Sequence, residues 1–147
     1  MTARLRRMRW WDIPACHALE ERLFTADPWS QPLFWSELAG VPETRHYVIA
    51  TQDEQVVGYA GLRAVTGEAD VQTIAVAPGH QRAGVGALLL TELVDEAGRR
   101  GCRTVTLDVR ADNEAARRLY ARFGFETLAV RSNYYGPGLD GVVMRRG

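Results

Sequence analysis

Thr73-Ile74-Ala75-Val76-Ala77-Pro78-Gly79-His80-Gln81-Arg82-Ala83-Gly84-Val85-Gly86-Ala87-Leu88-Leu89-Leu90 is the stretch that decides the fold of this 147-residue chain. Its first part belongs to a strand running from Glu68 to Ala77, which Pro78-Gly79 stops. Its last part opens a helix from Val85 to Arg100, where Leu88, Leu89, Leu93, Val94 and Ala97 recur at helical spacing before Gly101 closes it. Arg103 to Arg110 then alternates as a strand. Strand, helix and strand in that order imply two parallel neighbours in one sheet.

Working outward, His46–Thr51 and Val56–Val65 flank Gln52-Asp53-Glu54-Gln55 and read as a hairpin, and Thr66-Gly67 turns the chain into the strand at Glu68. Upstream, Arg4–Trp10 reads as a first strand. Asp12 reads as the cap of a helix with Pro14 in its first turn and Ile13, Cys16, Leu19, Leu23 and Phe24 at helical spacing. Asp27-Pro28-Trp29 breaks it. Ser30 caps a second helix, with Leu33, Phe34 and Leu38 on one side and Ser36 and Glu37 on the other. Downstream, Asn113 caps a helix ending at Phe123-Gly124, and Phe125–Arg131 and Val142–Arg145 are closing strands around the loop from Ser132 to Gly141. The expected product is one domain over residues 1–147, of α/β (α+β) class, with a mixed, mostly antiparallel sheet of about seven strands and four helices on its faces.

Composition excludes several classes. Eighteen arginines and no lysine balance eighteen acidic residues, so no field of one sign draws the whole protein to nucleic acid or an anionic membrane. The apolar runs are too short to span a bilayer, and the arginine-bearing N-terminus lacks the apolar stretch of a signal peptide. Cys16 and Cys102, far apart, read as free thiols in the reducing cytoplasm, and no metal-ligand spacing occurs. His17, His46 and His80 read as surface or packing residues. The expected assembly is a monomer or weak homodimer, with neither nucleic acid nor membrane as a partner.

The elbow Pro78–Gly86 lets backbone N–H groups come close to a ligand, the helix N-terminus adds partial positive charge, and Arg82 adds a planar fork of donors. Together they suit a pyrophosphate. The dinucleotide fingerprint fails, because Leu89 occupies its third glycine position, and no Gly-Lys-Ser/Thr follows for a Walker loop. From spacing alone, an ordinary glycine-containing strand-to-helix turn is an equal reading.

Gln81-Arg82-x-Gly84-x-Gly86, preceded by Thr73–Pro78, resembles the coenzyme A-binding motif of the GNAT superfamily of acetyltransferases. Asn113-x-x-Ala116-x-x-Leu119-Tyr120-x-x-Phe123-Gly124-Phe125 resembles the second family signature, and the element order matches over nearly the whole chain. Asp27-Pro28-Trp29-Ser30, Leu107-Asp108-Val109-Arg110 and Arg131-Ser132-Asn133-Tyr134-Tyr135 are similar to the RimI-type ribosomal-protein N-terminal acetyltransferases. The resemblance implies a splayed central parallel pair and acetyl-CoA as donor. It implies that the backbone of Ile74, Ala75 and Val76 holds the pantetheine arm. Arg82, Ala83, Gly84, Val85, Gly86 and Ala87 would cradle the pyrophosphate, and Asn113 would bind the cofactor. The implied acceptor is the N-terminus of a protein or peptide, of ribosomal origin in the family, with Trp29, Tyr134 and Tyr135 lining its entry.

Acetyl transfer to an amine requires that the amine lose a proton, that charge on the carbonyl oxygen be steadied, and that the leaving thiolate be protonated. An α-amine with a reference pKa of about 7.7–8.0 is roughly one-tenth free base at pH 7, so its base has less to do than one serving lysine, near 10.4. Tyr120, seven residues after Asn113 and on nearly the same helix face, is the candidate acid; the alternative is an aromatic packed beside Leu119 and Phe123. Asp108, on the polar side of its strand, is the candidate base, where RimI-type enzymes carry the longer glutamate. Glu68 competes for that role, and a third reading makes Asp108 merely the partner of Arg110. Trp29 has a packing alternative as the staple of the first two helices, and for Tyr134 and Tyr135 the alternative is that one of them packs inward. A lysine or small-molecule acetyltransferase and a non-catalytic acetyl-CoA-binding module are the competing functions.

Overall fold

The structure is a computed structural model that describes every residue except Met1, Ala26, Arg82 and Ala83. Its elements are β1 (Arg4–Arg7), a 3-10 turn (Trp10–Asp12), α1 (Ile13–Leu23), α2 (Gln31–Leu38), β2 (Arg45–Gln52), β3 (Gln55–Val65), β4 (Glu68–Val76), α3 (Val85–Arg99), β5 (Thr104–Arg110), α4 (Glu114–Arg122), β6 (Glu126–Arg131) and β7 (Gly141–Arg146). One seven-stranded sheet has the order β1-β2-β3-β4-β5-β7-β6. Every adjacent pair is antiparallel except β4 and β5. The mixed sheet with four α-helices is the architecture expected from the sequence.

Two tight turns set the antiparallel half. Asp53 and Glu54 (φ 53° and 65°), and then Thr66 and Gly67 (φ 51° and 81°), adopt the left-handed conformations that match the twist of a two-residue hairpin. Residues alternate between two cores, one on each sheet face. Val48, Ala60, Leu62, Val105, Leu107 and Val109 face α3 and α4, where Leu89, Leu90 and Leu93 are fully buried. Tyr47, Ile49, Tyr59 and Ala75 face α1 and α2, meeting Ile13, Cys16, Leu19 and Phe34. Gly58 permits the close approach of α3: a Cβ there would lie 2.8 Å from the Ala75 carbonyl oxygen, 3.1 Å from Leu89 and 3.3 Å from Val85.

Three local expectations change. The first strand ends at Arg7, because the Asp12 carboxylate accepts the Arg9 N–H at 2.7 Å and pairs with Arg6 at 2.8 Å, curling residues 10–12 into a turn. Asp12 therefore makes no side-chain bond to the helix it precedes. Glu37 faces inward, not to solvent, beside Phe34. It accepts from Arg45 at 2.9 Å, from Gln72 at 3.2 Å and from the Tyr47 hydroxyl. His46 is half-buried and bonded to Glu92 at 2.7 Å. Cys16 is buried and Cys102 half-buried, both as free thiols.

Candidate active site

The parallel pair is short. Only Glu68–Asp70 face Thr104–Thr106, and beyond that rung β4 and β5 separate. The same β4 residues stay paired with β3 on their other edge, from Gly61 opposite Thr73 to Gly58 opposite Val76. The Ala77 N–H donates to Val57 in β3 at 2.8 Å, so by strand alternation Ala75 also turns its backbone toward β3. Ile74 and Val76 turn theirs into the split. Of the three residues expected to hold a ligand arm by their backbones, two thus face the opening, and Gln81 covers the Val76 carbonyl at 3.3 Å.

At the head of the split, Gly84 takes φ 82° and opens α3 with no side-chain cap. The Leu88 N–H reaches the Gly84 carbonyl at 3.0 Å, which leaves Val85, Gly86 and Ala87 with N–H groups aimed out of the helix end. Gly86 lets α4 close on this end, since a Cβ there would meet Leu119 at 3.2 Å. Arg82 and Ala83, also expected in this cradle, lie outside the described residues. On α4, the Asn113 side-chain oxygen caps its own helix by accepting from Ala116 at 3.1 Å, and its amide NH2 has no partner among the described residues.

Past the split sit the ionisable groups. Tyr120 is only 6% exposed, with its ring 6.0 Å from that of Phe125 and its hydroxyl unpartnered among the described residues. Burial, and next the neighbouring Tyr135, raise its pKa above the ordinary phenol value. Tyr135 is pushed up to about 12 by burial, by the Asp108 charge and by Tyr134. Asp108, exposed and opposite Val143, has no hydrogen-bond or ion-pair partner among the described residues. Asp108, Tyr135 and Tyr120 thus form one electrostatically connected group.

The other candidates separate from it. Glu68 stands opposite Thr104 at the closed end, four residues or roughly 13 Å along the strand from Asp108. Arg110 turns to Asp112, at 2.8 and 3.0 Å, so the reading of Asp108 as its partner fails. Trp29 packs its ring at 5.3 Å on Phe34 of α2, and its backbone N–H donates to the Glu20 carboxylate of α1 at 2.9 Å, so it does staple α1 to α2. Tyr134 and Tyr135 meet edge to face at 5.0 Å, and Arg131 lies 5.1 Å over the Tyr134 ring. Their loop is pinned by Asn133 and Asp140: the Asn133 N–H donates to the Asp140 carboxylate at 2.9 Å, and Asn133 accepts the Gly138 N–H at 2.8 Å.

Sequence reasoning missed three carboxylates beside this site. Asp70, on the last rung before the split, accepts from the Thr106 hydroxyl and lies 3.8 Å from Arg63. Glu20, 3% exposed, accepts from Tyr59 as well as Trp29. Glu37 holds Gln72, the extra residue where the β3–β4 register shifts. A signal existed for two of them: Glu20 falls on the α1 stripe between Cys16 and Leu23, and Glu37 lies one turn after Phe34.

Known proteins with this architecture agree on its class. Residues 5–125 match the Acetyltransferase (GNAT) family. The N-alpha-acetyltransferase RimI of Mycobacterium tuberculosis is 43% identical over 141 residues, covering 92% of this chain and 86% of that protein. The [Ribosomal protein bS18]-alanine N-acetyltransferase of Escherichia coli K12 is 40% identical over 130 residues, 88% of this chain and 84% of that one. The crystal structure of the ribosomal-protein-S18-alanine N-acetyltransferase from Escherichia coli superposes with a TM-score of 0.87 at 34% identity, covering 99% of this chain and 93% of the other. A sheet that parts beside a glycine-started helix, and relatives matched over most of their length, lead to one statement: this chain belongs to the GNAT acetyltransferase family, beside its RimI-type members.

Proposed function

We propose that this protein transfers an acetyl group from acetyl-CoA to the N-terminal α-amine of a polypeptide, with a ribosomal protein as the acceptor. The observation that carries the reading is the opening between β4 and β5. It has helix-end and strand N–H groups on one side and the Asp108–Tyr135–Tyr120 group on the other. The acceptor class follows the relatives named for N-α-acetylation and for bS18 alanine acetylation.

The residues present fit the donor. Outward N–H groups of Val85, Gly86 and Ala87 suit a pyrophosphate at a helix N-terminus, and the Ile74 backbone and the Val76 N–H, which face the split, suit an amide-bearing arm. The Asn113 amide adds a further donor. When bound, acetyl-CoA supplies an activated acyl group as a thioester. Asp108 accepts the ammonium proton directly or through a water, because it lies beyond the last β4–β5 rung and its carboxylate has no partner among the described residues. Asp70 is engaged by Thr106, and Glu68 lies at the closed end. Tyr120 keeps its proton at neutral pH, since burial disfavours the phenolate, and so presents an O–H donor to a leaving sulfur. Tyr134 and Tyr135 flank the entry of the acceptor chain, with Tyr135 beside the Asp108 charge, while Trp29 serves as the staple between α1 and α2.

The test pairs peptides that differ only in a free or blocked N-terminus, incubated with acetyl-CoA while thiol release is followed. Acetylation of the free peptide alone is expected. Label on a blocked, lysine-containing peptide rejects the reading in favour of a side-chain acetyltransferase. The enzyme itself has no lysine, so it adds no side-chain amine to the background.

A further inference from the structure

β6 is the outermost strand of the sheet and is exposed along its whole length, Leu128 at 54% and Val130 at 61%. An outer strand presents a row of unpaired N–H and C=O groups to any chain that matches it. In a regular strand, Glu126 and Arg131, five residues apart, would point to opposite faces. Here the register on β7 shifts. Glu126 and Thr127 oppose Arg145 and Met144, whereas Ala129, Val130 and Arg131 oppose Val143, Val142 and Gly141. Directly opposed residues share a face. Met144 and Val142 lie in the core under α3 and α4, and Val143 opposes Asp108. The one extra residue, Leu128, therefore brings Glu126, Ala129 and Arg131 to the Asp108 face and sends Thr127 and Val130 to the α4 face.

This makes the strand complementary to itself. Laid antiparallel on a second copy about a two-fold axis normal to the sheet, Glu126 of one protomer faces Arg131 of its partner. Thr127 then faces Val130, and Leu128 faces Ala129. Both charge pairs fall on one face and both Thr–Val pairs on the other. A slide of two residues either way removes both charge pairs. Neither Glu126 nor Arg131 has an ion-pair or hydrogen-bond partner among the described residues; Arg131 rests only against the Tyr134 ring.

We propose that the protein forms a two-fold homodimer by pairing β6 with the β6 of a second copy, joining the two sheets into one. Arg131 then links the dimer contact to the loop of Tyr134 and Tyr135, so each acceptor entrance borders the interface. Sedimentation velocity on the wild-type chain, from about 1 µM to about 1 mM, is expected to show a concentration-dependent dimer. Glu126→Arg and Arg131→Glu, each placing like charges opposite one another twice, are expected to weaken association by about tenfold or more. An equal mixture of the two variants is expected to recover the dimer, because only the mixed pair brings opposite charges together. Both positions are exposed, so circular dichroism is expected to be unchanged in each variant. A wild-type chain that stays monomeric throughout the range overturns the proposal. So do single variants that dimerise like the wild type, and so does a mixture that stays monomeric. The readout is assembly and does not depend on which acceptor the enzyme uses.

Discussion

Gly58→Ala tests whether packing under the split governs its ligand end. The added Cβ would lie 2.8 Å from the Ala75 carbonyl oxygen, a backbone atom that cannot swing aside, and 3.1 and 3.3 Å from Leu89 and Val85. Overpacking of this kind costs about 1–3 kcal/mol, and straining the β3–β4 ladder at Ala75 adds about 1 kcal/mol. For 147 residues, an unfolding entropy of about 2.1 cal/mol/K per residue makes 1 kcal/mol worth about 3 °C. The melting temperature is thus expected to fall by roughly 6–12 °C. Val85 opens α3 and Ala75 neighbours Ile74 and Val76, so the KM for acetyl-CoA is expected to rise several-fold while kcat changes little. Thermal melts by circular dichroism and steady-state kinetics below the new melting temperature read both effects. A fall of less than about 3 °C together with an unchanged KM would refute the reasoning.

Three further outcomes are expected. Asp108→Ala lowers turnover by about a hundredfold or more at pH 7 and much less at pH 9, where an α-amine is already deprotonated; equal losses at both pH values count against its role as base. Tyr120→Phe lowers kcat with acetyl-CoA affinity near normal by calorimetry, and a collapse of affinity would make Tyr120 a packing residue. Burial works against the Glu37 charge, but hydrogen bonds from Arg45, Tyr47 and Gln72 prevail and hold its pKa below the usual carboxylate range. The stability this gives is present above the unfolded carboxyl value, near 4.3, and is lost as pH falls below it. Glu37→Gln should therefore flatten the decline in melting temperature below about pH 4, and parallel declines in the two proteins would contradict this.

What the sequence made legible was local or periodic. Val105, Leu107 and Val109 alternate inward as read, Ser30 and Asn113 cap their helices with their own side chains, and Gly84 starts α3. What it concealed depends on partners distant along the chain. Glu37 reads as part of the polar side of its helix, and Glu20 draws no reading, because a carboxylate on a helix is usually outside; tyrosine hydroxyls on β2 and β3 draw them in. Arg110 prefers Asp112, two residues on, because that carboxylate accepts both ends of the guanidinium fork. The shift at Leu128 has no signature in its own residue, since it exists only relative to β7.

The short parallel contact carries one more implication. Three rungs are all that stitch a four-stranded half-sheet to a three-stranded one. A molecule lying in the gap would act as a surrogate strand, lending its amides to both sides of the seam. Occupancy would then strap the halves together, and the free enzyme would be the looser object. Heat resistance would climb with donor concentration by about 1.4 kcal/mol for each tenfold excess over Kd.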